Sequence, residues 1–328
     1  KSCYDAINGF ESVSLEDAKR NNEKAKMRNV GFTIETKPDY CQQKHVDMML
    51  DYGTTRVEIG VQSLTERVYK IVNRGHNLQQ VISSFQIAKD AGYKVVAHMM
   101  PGLPTMSPEE DIADFKKLFE MEEFRPDMLK IYPALVLKDT PLYEDYKLGN
   151  YKPYSTKEMI NVLTESKKII PKWVRIMRVQ REITMDEIVD GPKMGNLRQK
   201  VHEELAKHGT SCKCIRCREA GLNNKKEFSE LKLERIDYDA CGGKEVFLSF
   251  NDADDLTYGF LRLRKPSEKA HREEITDKTS IVRELHVFGK AISIGEQEEF
   301  SFQHQGIGKK LMMEAEKIAA TDLSSNKL

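Results

Sequence analysis

No stretch of the 328 residues is apolar for the length needed to cross a bilayer, and no signal-peptide pattern opens the chain. The sequence therefore reads as soluble and cytoplasmic, with no membrane partner. Internal repeats and low-complexity tracts are missing too. Net charge is absent, because 52 Lys and Arg balance 52 Asp and Glu. That neutrality hides an asymmetry: residues 167–218 carry 13 Lys and Arg against 6 Asp and Glu, a net of +7, so the rest carries −7. A polyanion would find one basic face here. Cysteines are few, six in all, and three of them crowd into Cys212-x-Cys214-x-x-Cys217. In a reducing compartment that spacing favours metal or redox chemistry over disulfides.

What is present over the first half is an alternation of strands and helices. Strands are expected over 30–34, 55–61, 93–100, 128–132 and 173–177, with helices over 43–50, 79–91, 107–119 and 156–170. Ser107-Pro108-Glu109-Glu110 supplies the N-cap, the N1 proline and the N3 carboxylate of a capping box. Such alternation builds a parallel sheet with right-handed crossovers. Five strands are too few to close an eight-stranded barrel, so the expected fold is α/β, a partial βα barrel that begins upstream of Lys1. Ligands of such sheets sit at the carboxyl ends of the strands. That singles out Glu35, Thr36, Lys37 and Pro38, then Gln62 and Ser63, then residues 101–104, then Lys130 and Tyr132. Polar groups on this rim can hold a ribose, an amino-acid head group or a base, or serve as plain caps and loop residues.

Near the C-terminus the sequence runs Phe302-Gln303-His304-Gln305-Gly306-Ile307-Gly308-Lys309 into a helix that is apolar at Leu311, Met312, Ala315, Ile318 and Ala319. Gly306 and Gly308 let backbone N–H groups approach a diphosphate, and the helix adds its positive dipole end. An alternating strand, 280–288, precedes this loop. Strand, loop, Gln-x-x-Gly-x-Gly and helix resemble the layout with which GNAT-type acetyltransferases grip coenzyme A. The acetyl-CoA candidates are Glu284, Leu285, His286 and Val287 on the strand, with Gln303, Gly306, Ile307, Gly308 and Lys309 after it.

Three soft thiolates within six residues suit tetrahedral zinc, with His208, His202 and Cys241 as candidates for a fourth ligand. Free buried thiols are the bland alternative, and Cys3 and Cys41 have no partner at ligand spacing. Lys172, Arg175, Arg178 and Arg181 recur every three residues, followed by Lys193 and Arg198, and they are the candidate RNA-phosphate contacts. Trp173 among them could stack a splayed base or fill a core. Residues 267–279, of mixed sign, read as a mobile surface loop.

Longer motifs carry a resemblance. Glu58-Ile-Gly-Val-Gln-Ser63, Val72-Asn-Arg-Gly-His76 and His98-Met-Met-Pro-Gly-Leu-Pro104 resemble the later part of radical S-adenosylmethionine (SAM) enzymes such as oxygen-independent coproporphyrinogen oxidases. Thr33-Ile-Glu-Thr-Lys-Pro-Asp-Tyr-Cys41, Arg125-Pro-Asp-Met-Leu-Lys-Ile-Tyr-Pro133 and Arg283-Glu-Leu-His-Val287, in this order, resemble the family of Elongator catalytic subunits across practically the whole chain. The resemblance implies a radical SAM barrel over 1–182, a basic linker with the cysteine triplet over 183–226, and a C-terminally incomplete GNAT-like domain over 227–328. It implies carboxymethylation of the C5 position of the wobble uridine in a tRNA anticodon stem-loop, within a homodimer or with Elongator-like subunits. SAM, with Gln62, Ser63 and Arg74 as its candidate contacts, acetyl-CoA, zinc and a 4Fe–4S cluster whose ligands are not in this chain are the implied cofactors. An acetyltransferase acting on protein or small-molecule amines is the alternative, with Glu284 its candidate base.

Overall fold

Two helices, α1 (Ser2–Asn8) and α2 (Leu15–Glu23), lead into a βα series: β1 (Phe32–Thr36), α3 (Gln43–Asp51), β2 (Thr54–Gln62), α4 (Glu66–Ile71), α5 (Leu78–Asp90), β3 (Lys94–Met99), α6 (Pro108–Glu120) and β4 (Met128–Ile131). It continues through β5 (Val136–Leu137), α7 (Pro141–Lys147), α8 (Thr156–Lys168), β6 (Arg175–Arg178), β7 (Ile188–Asp190), α9 (Leu197–Lys207) and α10 (Ile215–Arg218). Then come β8 (Lys232–Ala240), β9 (Gly243–Asn251), β10 (Thr257–Lys265), β11 (Ile281–Val287) and α11 (Ile307–Thr321). The computed structural model describes residues 1–223, 230–288 and 306–328.

Strands β1-β2-β3-β4-β6 form a wholly parallel sheet in sequential order, the open barrel expected from the alternation. Side chains alternate across it. Val57, Ile59, Val95, Ala97, Leu129 and Ile176 point outward, where the helices cover them with Phe85, Phe115 and Leu163. Glu58, His98 and Lys130 meet on the concave face. The helices start where capping boxes place them: Asn77 with Gln80, Ser107 with Glu110 and Ser155 with Glu158. The N-terminal pair α1 and α2 was not legible by periodicity, being short and mostly polar.

The second sheet is antiparallel, ordered β11-β10-β9-β8. Helix α11 packs Leu311, Ala315 and Ile318 onto Leu248, Leu261 and Leu263. A side chain at Gly259 of β10 would put its Cβ 2.9 Å from Ile307 Cγ2 and 3.1 Å from the His286 carbonyl, so glycine there sets how closely the helix approaches.

Ions join the two sheets. Asp127, immediately before β4, receives Arg283 through Nη1 and Nη2 at 2.7 Å each and Lys89 at 3.2 Å. Glu245 receives Arg283 at 2.7 Å and Arg264 at 2.9 Å, and Arg264 also pairs with Asp90 at 2.6 Å. Arg262 pairs with Glu284 at 2.8 Å. Residues 267–279 are anchored by the same logic, which corrects the expectation of a mobile loop. Ser267 N and Oγ both bond Asp90, and His271 and Arg272 each reach Asp47 of α3 at 2.9 Å.

Because Arg283 compensates two buried carboxylates, Arg283→Met should cost about 3–5 kcal/mol of stability. Urea unfolding measures this, and a midpoint equal to the parent's would mean the cluster does not hold the sheets together.

Candidate active site

The concave face of the barrel carries one charged or ionisable side chain per strand along a transverse row. Glu35 is in register with Glu58, and His98 with Lys130, which is in turn in register with Arg178. Glu58 Oε2 takes a hydrogen bond from Lys130 and lies 3.0 Å from His98 Nε2, while His98 Nδ1 is 3.4 Å from Glu35. Burial pushes the Glu58 carboxyl up, but the hydrogen bonds from His98 and Lys130 outweigh it and hold it down at about 2. Tyr132 lies edge-on to His98, and the Arg181 guanidinium sits 4.8 Å from the Tyr132 ring centre. A closed eight-stranded barrel fills this space with apolar side chains; here charged and ionisable side chains occupy it.

At the carboxyl end of β2 the chain turns sharply, with Gln62 at φ 71°. A Cβ on Gly60 would lie 2.9 Å from both Arg74 Nη2 and Gln62 Nε2, so the glycine makes room for those two side chains to converge. Arg74 Nη2 also donates to the Gly60 carbonyl at 3.0 Å. Ser63 does not face this space: its hydroxyl donates to Asp114 at 2.7 Å, and Leu64 N donates to the same oxygen at 2.8 Å. Asp111, one helical turn earlier on α6, holds the next strand-end loop by accepting from Gly102 N and Tyr154 Oη, both at 2.8 Å. Sequence reasoning missed these two aspartates, since acidic residues early in a helix read as ordinary partners of its dipole. Gln62, Arg74, Gly60 and the buried polar atoms around them fit the polar half of SAM.

At the other site, Gly306 caps α11 at φ 77° and makes no side-chain cap, and the first-turn N–H groups of a helix are the ones that can receive an anion. A Cβ on Gly308 would lie 3.6 Å from Val287 and 3.7 Å from Leu285, so the first turn of α11 sits directly against β11. Lys309 follows in the first turn of the helix. Leu285 and His286 are exposed beside it. Gln303 lies outside the described residues. Glu284 is committed to Arg262, which removes it as a free base.

The three cysteines of the linker converge, with their sulfurs within 4.8 Å of one another and Cys214 Sγ 3.5 Å from Cys217 Sγ. This donor set fits a thiolate-bound zinc. Of the three candidate fourth ligands, His202 lies beside the triplet, with Nε2 3.7 Å from Cys217 Sγ. His208 instead pairs with Glu204, and Cys241 points at the Glu123 and Phe124 carbonyls.

The basic residues divide. Lys172 is paired with Glu234 and Asp255, Arg175 with Glu219, and Arg198 donates to the Ile176 carbonyl. Arg178, Arg181 and Lys193 are exposed. Trp173 stacks on Tyr238 at 4.1 Å, a packing position between the sheets.

Burial raises the Asp111 carboxyl to about 7, whereas in the unfolded chain it titrates near about 3.9. Between those values the folded state keeps a proton that the unfolded chain has released, so stability should fall as pH rises through that window. Asp111→Asn keeps a carbonyl acceptor for Gly102 and should flatten the decline, read from urea midpoints at about pH 5 and about pH 8. An unchanged slope would place the titration elsewhere.

Comparison with known proteins relates the chain to one family. The model of the radical SAM superfamily matches residues 10–118, and that of the radical SAM C-terminal domain matches residues 126–207. The chain is 48% identical over 336 residues to a tRNA uridine(34) acetyltransferase of Methanocaldococcus infernus, covering 100% of this chain and 62% of that protein. It is 46% identical over 331 residues to Elongator complex protein 3 of Saccharomyces cerevisiae, covering 99% of this chain and 59% of that one. The solved structure of the archaeal Methanocaldococcus infernus Elp3 with an N-terminal deletion superposes with a TM-score of 0.92 at 48% identity, over 98% of this chain and 77% of that one. The chain thus spans about three fifths of the length of the curated relatives it matches. Among the described residues no helix is long and apolar enough to cross a membrane. The chain belongs to the radical SAM family of Elongator complex protein 3 and the tRNA uridine(34) acetyltransferases.

Proposed function

We propose that this chain forms the body of a cytoplasmic enzyme that carboxymethylates C5 of the wobble uridine in tRNA. The observation that carries the reading is the pairing, in one molecule, of a barrel with a charged interior row and a helix that opens on glycine. SAM with a 4Fe–4S cluster would supply radical chemistry here, and acetyl-CoA the two-carbon unit. Gln62 and Arg74 would hold SAM at the strand ends, kept in place by Asp114 through Ser63 and Leu64. The backbone N–H groups after Gly306 would hold the diphosphate of acetyl-CoA, with β11 alongside. Cys212, Cys214 and Cys217, with His202 beside them, would hold zinc between barrel and second sheet. Arg178, Arg181 and Lys193 would meet the phosphates of an anticodon stem-loop, and Elongator-type subunits or a second copy would be the protein partners. The domain limits 1–182, 183–226 and 227–328 belong to this reading. Amine acetylation is the weaker one, because Glu284 is tied up in an ion pair.

Three measurements test it. Gly308→Trp should abolish acetyl-CoA binding in calorimetric titration while the fold survives, since bulk there fills the diphosphate approach. Elemental analysis should find about one zinc per chain, lost when the three cysteines become serine; iron or no metal would overturn the zinc assignment. Neutralising Arg178, Arg181 and Lys193 should flatten the salt dependence of tRNA binding by about one unit of log–log slope for each phosphate-bound charge removed. An unchanged slope would move the RNA face elsewhere and favour a protein or small-molecule acceptor.

A further inference from the structure

Two lysines are wholly buried, and their surroundings differ. Lys89 of α5 lies against two carboxylates, Asp127 at 3.2 Å and Glu245 at 3.5 Å. Lys167, in the last turn of α8, is also 0% exposed, yet among the described residues no carboxylate comes within ion-pair reach of it. The next residue shows the ordinary case, since Lys168 is partly exposed and pairs with Glu165 at 2.6 Å. A buried ammonium is tolerated only beside a compensating charge. Lys167 therefore implies an anion that is not a carboxylate.

What Lys167 does touch is the cysteine site. Its Nζ is 2.8 Å from His202 Nε2, that nitrogen is 3.7 Å from Cys217 Sγ, and Cys217 Sγ is 3.5 Å from Cys214 Sγ. The Lys167 charge acts on Cys212, Cys214 and Cys217 alike. Arg198 of α9 also acts on the three sulfurs, but it is only half-buried and its guanidinium donates to the Ile176 carbonyl. Water screens an arginine so placed far more than it screens Lys167. Three neutral thiols would leave the ammonium unmatched. A divalent zinc held by three thiolates and a neutral imidazole keeps one negative charge, and one ammonium balances it.

We propose that Lys167 is the counter-ion of the cysteine site, its buried ammonium neutralising the metal–thiolate charge and donating N–H groups to the sulfurs. This rests on the reading that the triplet holds zinc. An ammonium has three donors and an imidazole nitrogen one lone pair, so where a metal takes His202 Nε2 the sulfurs become the acceptors of Lys167. Lys167 is a positioning residue, and it makes a helix of the barrel part of the linker's metal site.

The test is equilibrium competition for zinc between the chain and a chromophoric chelator, with the absorption spectrum of the cobalt(II)-loaded chain as second readout. Lys167→Met keeps the length of the side chain and removes its charge. It should weaken zinc binding about tenfold or more, because the metal–thiolate charge is left buried and unpaired. It should also move the sulfur-to-cobalt charge-transfer band to longer wavelength, since sulfur electrons are easier to displace once the neighbouring positive charge is gone. Lys167→Arg should recover part of both effects, and Lys168→Met should show neither. Should methionine unfold the chain, Lys167→Gln, polar but uncharged, is measured in its place. Zinc affinity and cobalt spectrum equal to the parent's overturn the proposal and leave the zinc site standing. So does weaker zinc binding with an unmoved band, the mark of a packing role alone. A parent chain that binds no zinc removes the zinc reading itself.

Discussion

Asp127 is the point on which the two halves of this molecule depend. Its carboxylate takes Arg283 of β11, Lys89 of α5 and the Val95 amide of β3, while its own carbonyl accepts from Arg175 N and Arg262 Nη2. One residue thus fixes β3, β4 and β6 of the barrel against β10 and β11 of the second sheet. Around it Lys89, Arg262, Arg264 and Arg283 face Asp90, Asp127, Glu245 and Glu284, so the buried cluster is neutral as a whole. Neutrality is required, because each ion taken from water costs several kcal/mol and only a complete set of partners offsets it. An apolar interface of the same area would tolerate sliding. An ionic one with bidentate arginine geometry admits one registration.

That fixed registration matters because the two candidate ligand sites sit on different halves. SAM would lie at the ends of the barrel strands, and acetyl-CoA at the start of α11 beside β11. A reaction joining a radical from one to a two-carbon unit from the other needs their relative position held. The ion cluster lies on or beside strands that lead towards both: β11 continues from Arg283 to Val287, and β4 (Met128–Ile131) follows directly on Asp127. Ligands bound at these candidate sites would inherit their spacing from the cluster.

Much of the barrel was legible in the sequence because its signals are local. The capping box at Ser107 and the strand pattern over β2 each depend on residues within a few positions. So did the cysteine triplet, whose spacing brings three sulfurs together whatever surrounds them. The ion cluster was not legible. Asp127 and Arg283 are 156 residues apart, and Arg262 and Arg264 alternate with leucines on β10, the pattern that a strand with one solvent face would show. Their side of the sheet faces the barrel instead, and only tertiary pairing reveals that. The same blindness made residues 267–279 read as mobile, since Asp47 and Asp90, which anchor them, lie on distant helices. Lys172 and Arg175 read as RNA contacts because Glu234, Asp255 and Glu219, their partners, are far along the chain or on another element.

Strand β6 shows how the linker enters this scheme. As the last strand of an open sheet it would expose a row of unpaired backbone groups. Instead Ile215 N donates to the Val174 carbonyl just before it, Arg198 to the Ile176 carbonyl within it, and Arg262 of the second sheet to the Trp173 carbonyl ahead of it. Ile215 directly follows Cys214, and Arg198 is one helical turn from His202 on α9. A metal held by the triplet would therefore fix both linker donors on the β6 edge, while Asp127 and Arg262 fix the same strand from the barrel and from the second sheet. Edge protection, the joining of the two sheets and the cysteine triplet meet on one four-residue strand, which gives a physical reason for a triplet placed beside sheets that already share an ionic interface.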